Sequence, residues 1–283
     1  MRARVPASSA NLGPGFDALG VALSLYVDVT VSEADEFSIT SDGCGAGLFD
    51  TPDHMAAVIA REVVGHDRFH IHVDSDIPLS RGLGSSASLA LAAAAAAGAS
   101  DPLAIATRID GHPENAAASL LGGLVVAAAS DDYIVVRQLP LDEIWRFVVV
   151  VPEEELATAD ARRVLPATVP FGDAVHNLSA LGLLISGLAD HRTFSPLAMN
   201  DWLHQPYRMD LLPLARPVLA LMREAGAVGS CWSGAGSTML GLTTPDTAET
   251  VARACAQYLV ANSIYGEVHI LEADRTGLVV SDH

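Results

Sequence analysis

The segment from Pro78 to Ala87 places two glycines and two serines directly before an alanine-rich stretch of high helix propensity. Gly82 and Gly84 lack a Cβ, so successive main-chain N–H groups can approach a ligand closely. Ser85 and Ser86 stand where the helix begins, and the first turn of a helix presents unpaired N–H groups and the positive end of its dipole. This pattern predicts an anion site whose hydroxyls can also bind Mg²⁺. A glycine turn followed by a serine cap is the alternative, because the Gly-x-Gly spacing alone is common.

A second segment, Pro6 to Gly20, is predicted to be an irregular, glycine-punctuated loop that follows a short strand. Within it, Asn11 offers both a donor and an acceptor, and Asp17 offers only acceptors. Such a pair suits a ligand that carries an ammonium or hydroxyl group. The alternative is that both side chains form Asx turns in a tight loop. Two shorter segments, 112–115 and 233–238, are weak signals by themselves.

The elements that must position these segments follow an α+β pattern, since strand-like and helix-like periodicities are mixed along the chain. The predicted strands are 27–31, 37–39, 69–73, 124–129, 134–136, 147–151, 228–233, 237–242 and 268–271. The predicted helices are 86–97, 104–109, 175–188, 211–225 and 247–261. The pattern of apolar and polar residues changes after Leu139-Pro140. This change predicts a domain boundary near residues 140 to 146, which divides the chain into domains 1–143 and 144–283.

Charge and composition exclude several classes of protein. The chain has 283 residues, with 34 acidic and 16 basic side chains, and every basic residue is an arginine. A net charge of −18 disfavours binding to nucleic acid or to an anionic membrane. Because there is no lysine, a phosphate must be held by main-chain N–H groups, arginine or a metal. Three scattered cysteines and the lack of a long apolar run predict a cytoplasmic protein.

Taken together, the four segments resemble the GHMP kinase superfamily, and the segment from Pro6 to Gly20 resembles the homoserine kinases within it. The resemblance covers nearly the whole chain. It implies an N-terminal ribosomal-protein-S5-like domain and a C-terminal ferredoxin-like domain, with ATP and substrate in the cleft between them. It also implies transfer of the ATP γ-phosphoryl group to the side-chain hydroxyl of L-homoserine, in threonine biosynthesis, with Mg²⁺ as cofactor. By analogy with relatives, a homodimer is expected.

The same resemblance implies roles for individual residues. The ATP-binding residues would be Pro78, Arg81, Gly82, Leu83, Gly84, Ser85 and Ser86. The substrate-binding residues would be Asn11, Asp17, Asn115, Arg162 and Arg208, with the two arginines gripping the substrate carboxylate. That last role suits a guanidinium, which can hold a carboxylate through two parallel bonds. Asn115, Asp17 and Arg162 are the catalytic candidates. Asp17 is the only candidate base among them, but binding of the substrate amino group is its preferred role. The turn 234–236 would pack under the phosphate loop.

The chain departs from the family at positions that matter for the metal. Relatives usually have Asp where Glu114 stands, and they carry a metal-binding Glu on the preceding helix, where this chain has Ala104 and Arg108. We therefore predict Ser86 and Asp110 as the metal ligands. Two alternatives stay open: a kinase of the same superfamily that acts on another small alcohol, and a ligand-binding relative with weakened catalysis.

Two other groups of polar residues are less informative. His66, His70, His72 and Asp74 suggest a zinc site, but a solvent-facing strand edge is favoured because no closed set of four ligands is apparent. The acidic runs 153–155 and 131–132 are interpreted as solvated turns.

Overall fold

The computed structural model describes residues 1–130 and 133–282, and it contains two β-sheets with helices packed against them. The strands are β1 (Arg2–Asn11), β2 (Gly15–Glu33), β3 (Ser38–Gly43), β4 (Phe69–Ser75), β5 (Leu124–Ala129), β6 (Ile134–Leu139), β7 (Arg146–Pro152), β8 (Gly229–Trp232), β9 (Met239–Thr243), β10 (Gly266–Leu271) and β11 (Val279–Ser281). The α-helices are α1 (Met55–Val64), α2 (Ser85–Ala96), α3 (Pro102–Asp110), α4 (Glu114–Leu121), α5 (Thr158–Arg163), α6 (Phe171–Ala189), α7 (Gln205–Arg208), α8 (Ala215–Glu224) and α9 (Pro245–Ala261). The predicted acidic turn at 131–132 lies outside the described residues.

The first sheet has seven strands and forms the scaffold of the N-terminal part. Its main path is β11-β1-β2-β4-β3, and β5 joins it by pairing with β2 and β6. Helix α2 packs against β1 and β2 and against helices α1, α3 and α4. The run of alanines in α2 is buried on almost every side. Small side chains allow this close packing, so the start of α2 is held firmly at one end of the sheet.

The second sheet has four antiparallel strands in the order β10-β7-β9-β8. Strand β7 is apolar without alternation because both of its faces are buried. Val148 and Val150 pack in a core with α8 and α9, whereas Val149 and Val151 join the core of the first sheet. The two sheets therefore share a continuous apolar contact, and the predicted α+β class is confirmed.

The chain passes from the first sheet to the second between the end of β6 and the start of β7. After β10 it returns, and β11 pairs antiparallel with the start of β1. The domain limits 1–143 and 144–283 stay a prediction.

The prediction of an irregular loop from Pro6 to Gly20 is wrong. Most of the segment lies in β1 and β2, and only Leu12, Gly13 and Pro14 connect the two strands. The alternation typical of a strand is absent because both faces of this part of β1 are buried, including Ser8 and Ser9. The chain reverses in so few residues because Asn11, Leu12 and Gly13 all adopt left-handed backbone conformations, with φ of 72°, 48° and 80°.

The predicted strand edge at the histidines is also wrong, since β3 pairs in parallel with the outer side of β4. His70 contacts Ser38 and Thr40 through its ring nitrogens, and His72 contacts Thr40, so both rings are used in cross-strand hydrogen bonds.

Among the described residues, no helix has the length and apolar character needed to span a bilayer.

Candidate active site

A cleft of about 780 Å³ opens where the loop before α2 meets the second sheet. All four segments singled out in the sequence contribute to its walls. The lining includes ten residues that the sequence analysis predicts for the site: Asn11, Asp17, Gly82, Gly84, Ser85, Ser86, Asp110, Asn115, Arg162 and Arg208. The structure thus brings together ten predicted positions that span nearly 200 residues of sequence.

The start of α2 is an uncapped helix N-terminus. Gly84 is the N-cap residue, with a left-handed φ of 68°, and no side chain caps the first turn. The alternative of a serine cap is therefore wrong, because Ser85 and Ser86 lie within the helix and leave its first N–H groups to a ligand. A Cβ on Gly84 would collide with the hydroxyl of Ser8, which is why glycine is required here.

The glycine turn of the second sheet packs directly against this loop, as expected. The hydroxyl of Ser233 donates to the carbonyl of Gly82 at 2.6 Å, and Thr238 N–H donates to the carbonyl of Arg81 at 3.0 Å. A Cβ on Gly82 would run into the carbonyls of Ser233 and Gly236. The close approach of two main chains fixes the loop between the sheets.

Three predicted ATP-binding residues do not present their side chains to the cleft. Arg81 donates to the carbonyls of Leu79, Pro152 and Glu153, and it pairs with Glu155 at 2.9 Å. Its guanidinium thus anchors the loop to the end of β7, and Glu155 is more than a solvated turn residue. Two further side chains lie elsewhere: Leu83 is fully buried in the core, and Pro78 lines a separate surface depression.

A second cavity, of about 1090 Å³, adjoins the loop on its other side and was not predicted. Both cavities are lined by Ser80, Ser85 and Ser86. The remaining walls are largely apolar and include Val27, Val73, Met55, Leu79 and Leu89, together with Cys44 and His54. His54 accepts from the N–H of Ala56 through Nδ1 and so caps α1, while burial lowers the pKa of its imidazole. The apolar residues come from two strands, two helices and the loop before α2, so no local sequence pattern indicates the cavity.

Asp17 and Arg162 form a two-point ion pair in the cleft. The guanidinium donates to the two carboxylate oxygens at 2.6 and 3.1 Å, and each side chain keeps about a third of its surface exposed, 36% and 35%. The ring of Phe16 lies 5.4 Å from the Arg162 guanidinium carbon. The pair is half-buried and faces the cleft. A ligand with one positive and one negative group could therefore bind Asp17 with the first and Arg162 with the second, in place of the ion pair.

Asn11 lines the cleft, but its side-chain amide makes hydrogen bonds to the main chain of two neighbouring segments. Its Nδ2 donates to the carbonyl of Gly234 at 2.8 Å, and its Oδ1 accepts from the N–H of Asp17 at 3.0 Å. Asn11 and Asp17 both have positive φ, 72° and 54°. Asn11 therefore fixes the backbone that carries Asp17, and one N–H of its amide is left for a ligand.

Arg208 is almost completely buried, with 1% of its surface exposed. It donates from Nε to the carbonyl of Ala161, and from Nη1 to Gly234 and to the ring of His204. Burial, together with the nearby charge of Arg162, lowers the pKa of Arg208 to about 10. The guanidinium stays charged at neutral pH and lies at the wall of the cleft.

Three further carboxyl- or amide-bearing residues, Asp110, Glu114 and Asn115, line the cleft. Asn115 accepts from the hydroxyl of Ser8 through Oδ1 at 3.0 Å. Burial raises the pKa of Asp110, against the opposing effects of His112 and Asn115. Burial also raises the pKa of Glu114, to about 7, and its Oε2 atom has no hydrogen-bond partner among the described residues. His112 also lines the cleft, although the sequence pattern assigns it no role, and burial lowers the pKa of its imidazole.

The donor groups here fit a magnesium ion. Ser86 and Asp110 line the same cleft from separate helices and offer a hydroxyl and a carboxylate, the oxygen ligands that Mg²⁺ prefers. Mg²⁺ keeps several waters and is usually held by one or two carboxylates plus phosphate oxygens, so two protein ligands suffice. Glu114 lines the same cleft, and its unpartnered Oε2 atom is a further oxygen there.

Comparison with known families identifies GHMP kinases in both halves of the chain. The GHMP kinases N terminal domain matches residues 51–123, and the GHMP kinases C terminal domain matches residues 179–261. The homoserine kinase of Desulfitobacterium hafniense is 35% identical, covering 99% of this chain and 99% of its own. That of Carboxydothermus hydrogenoformans is also 35% identical, covering 97% of this chain and 95% of its own.

Solved structures show the same fold. A crystal structure of homoserine kinase from Cytophaga hutchinsonii superposes with a TM-score of 0.86 at 27% identity, covering 99% of this chain and 97% of that one. A mevalonate kinase from L. major superposes with a TM-score of 0.73 at 14% identity, covering 98% of this chain and 97% of that one. At this identity the likeness concerns the fold alone.

Proposed function

The chain belongs to the GHMP kinases and, within them, to the homoserine kinases. We therefore propose that it transfers the γ-phosphoryl group of ATP to the side-chain hydroxyl of L-homoserine. The observation that carries the proposal is the position of the α2 N-terminus between two cavities. One cavity is largely apolar, and the other is lined by three carboxyl-bearing side chains and two guanidinium groups. A nucleotide and a zwitterionic amino acid have the matching chemistry.

The triphosphate is assigned to the loop before α2. Gly84 exposes the unpaired N–H groups of the first turn, and the helix dipole favours negative charge there. No lysine exists in the chain, and the guanidinium of Arg81 is committed to main-chain carbonyls and Glu155. Main-chain amides are therefore the principal phosphate ligands. The purine is assigned to the apolar cavity that adjoins Ser85 and Ser86.

The amino acid is assigned to the wall that carries Asp17, Arg162 and Arg208. Asp17 binds the substrate ammonium, and Arg162 with Arg208 binds the carboxylate. The ion pair between Asp17 and Arg162 supports this assignment. The ammonium of a zwitterion can pair with the carboxylate of Asp17, and its carboxylate can pair with the guanidinium of Arg162. A substrate without both charged groups could break the pair but could not replace it, which disfavours a simple alcohol.

Transfer itself requires positioning rather than a strong base. Asn115 orients the attacking hydroxyl, and an amide cannot accept its proton at neutral pH. Because the transition state of phosphoryl transfer is loose, the new oxygen–phosphorus bond can form as the bond to ADP breaks, and the proton leaves to a phosphate oxygen. When bound, Mg²⁺ neutralises charge on the phosphates, and Ser86 and Asp110 are the residues that would hold it.

A homodimer and a cytoplasmic location are further parts of the proposal.

A coupled assay for ADP release across homoserine, threonine, serine and mevalonate tests the assignment. Turnover that is largely confined to homoserine is expected. Turnover confined to another alcohol, or binding of homoserine without turnover, would contradict it, and each of these results corresponds to one of the alternatives left open by the sequence.

A further inference from the structure

His204 is a buried histidine that the proposed reaction does not use. It precedes α7 and has no exposed surface. Its ring stacks on Phe16 with centroids 4.9 Å apart and planes inclined by 22°. Phe16 in turn lies beneath the guanidinium groups of Arg162 and Arg208, at 5.4 and 5.3 Å. His204 is thus in contact with the substrate wall without lining the cleft itself.

The hydrogen bonds of the ring determine its protonation state. Nδ1 lies 3.0 Å from Nη1 of Arg208, and a guanidinium can only donate, so Nδ1 must accept. A neutral imidazole then carries its proton on Nε2, which lies 2.8 Å from the carbonyl of Gly13 and donates to it. Protonation of Nδ1 would remove the acceptor and place a second cation against the guanidinium.

We infer that His204, held as the neutral Nε2–H tautomer, is a positioning residue that fixes Arg208 and the β1–β2 turn for binding of the substrate carboxylate. The ring connects two parts of the site that are remote in sequence, the turn at Gly13 and helix α7 at Arg208. The inference rests on the proposed function, since it concerns the carboxylate-binding side of that site.

The surroundings of the ring favour the neutral form. Burial, with the nearby charge of Arg208, lowers the pKa of His204 to about 4, although Asp201 and Asp17 act in the opposite direction. Asp201 lies 3.3 Å from Nε2, but its carboxylate also accepts three main-chain N–H groups at the start of α7. Its charge is thus shared among several donors, and Gly13 remains the nearer acceptor for Nε2–H.

The tautomer can be read directly in the wild-type protein. Nitrogen-15 NMR of labelled histidine should show His204 with Nδ1 unprotonated and Nε2 protonated, unchanged between pH 8 and pH 5. A proton on Nδ1, or titration near pH 6.5, would overturn the inference. This measurement needs no substrate, so its outcome is independent of whether homoserine is phosphorylated.

Substitution tests the positioning role. His204→Phe keeps a ring against Phe16 but removes both hydrogen bonds, and we expect the KM for homoserine to rise roughly tenfold, as for one lost hydrogen bond to a charged group. The KM for ATP should stay unchanged and kcat should fall much less. His204→Asn keeps an acceptor near the place of Nδ1 and should recover part of the loss.

A matched control is His176→Phe, because His176 is exposed, does not line the cleft, and contacts the ring of Trp202 with the two planes tilted by 36°. It should leave all kinetic constants unchanged. A folded His204→Phe variant with the wild-type KM for homoserine would contradict the inference, as would equal changes in the KM values for homoserine and ATP. If the phenylalanine variant does not fold, the asparagine variant and the NMR measurement still decide.

Discussion

The carboxylate of Asp17 and the guanidinium of Arg162 are 145 residues apart in sequence, yet they form a two-point ion pair in the cleft, at 2.6 and 3.1 Å. Each partner has the charge needed to bind one end of an amino acid. The pair therefore keeps two charged groups satisfied in the free protein. In the proposed function a zwitterionic substrate exchanges with this pair, and we expect specificity for a zwitterion from that exchange.

Replacing Asp17 by Asn should weaken homoserine binding more than it lowers turnover. The neutral amide cannot pair with the substrate ammonium, and we expect the KM to rise roughly 10- to 100-fold, the effect of a lost charge-assisted hydrogen bond. Steady-state kinetics with saturating ATP measure both constants.

The control for this variant is 4-hydroxybutanoate, which keeps the hydroxyl and the carboxylate but has no ammonium. Its binding should tighten in Asp17→Asn, opposite to the change for homoserine, because the substitution removes an ion pair that this compound must break and cannot replace. If kcat collapses instead while the affinity for homoserine is unchanged, Asp17 acts as a base and the binding role is wrong.

Gly84→Ala should abolish ATP binding and lower thermal stability. The added Cβ would meet the Ser8 hydroxyl, and an alanine at a φ of 68° is strained even without that collision. Gly47→Ala is the matched control, because Gly47 has a φ of 70° but open space around its Cβ position. Differential scanning calorimetry should show a much larger drop for residue 84 than for residue 47, and equal drops would remove the steric argument.

The start of α2 was the part of the site most open to prediction. Glycine, serine and the alanine run encode their structure locally, so the loop, the helix and an anion role follow from about twenty residues. The pairing of Asp17 with Arg162 and the role of His204 depend on contacts between distant elements, and no local pattern reports them. The β1–β2 hairpin was missed for a related reason, since a strand buried on both faces loses its alternation.

Stability should fall between about pH 4.5 and pH 7 because of Glu114. Burial raises the pKa of its carboxyl group from 4.5 to about 7, so the folded protein keeps a proton that the unfolded chain has lost. Where the folded state binds more protons, the free energy of unfolding decreases as pH rises. Below pH 4.5 both states are protonated, and above pH 7 both are ionised, so the loss is confined to that window.

Glu114→Gln cannot titrate, so its stability relative to the wild type should rise with pH across that window. At about 1.4 kcal/mol per pKa unit, we expect a gain of about 1 to 3 kcal/mol in the free energy of unfolding between pH 4.5 and pH 8. Urea denaturation at both pH values measures it, with the exposed Glu143→Gln as control. A difference that does not change with pH would contradict the buried, protonated carboxyl.

Asp110→Asn should increase the concentration of Mg²⁺ needed for half-maximal activity. A neutral amide is a poorer ligand for a hard cation, and even loss of an outer-shell partner costs roughly 10- to 100-fold in metal affinity. Arg108→Ala on the same helix is the control, because Arg108 pairs with Glu62 at the surface. An unchanged Mg²⁺ requirement in Asp110→Asn would show that another residue replaces the missing glutamate.

The most direct test is a crystal structure with a non-hydrolysable ATP analogue and Mg²⁺. We predict phosphate oxygens about 3 Å from the main-chain nitrogens of residues 84–86, with the purine in the cavity lined by Val27, Met55 and Leu89. A triphosphate bound mainly by arginine side chains, or placed away from the first turn of α2, would contradict it.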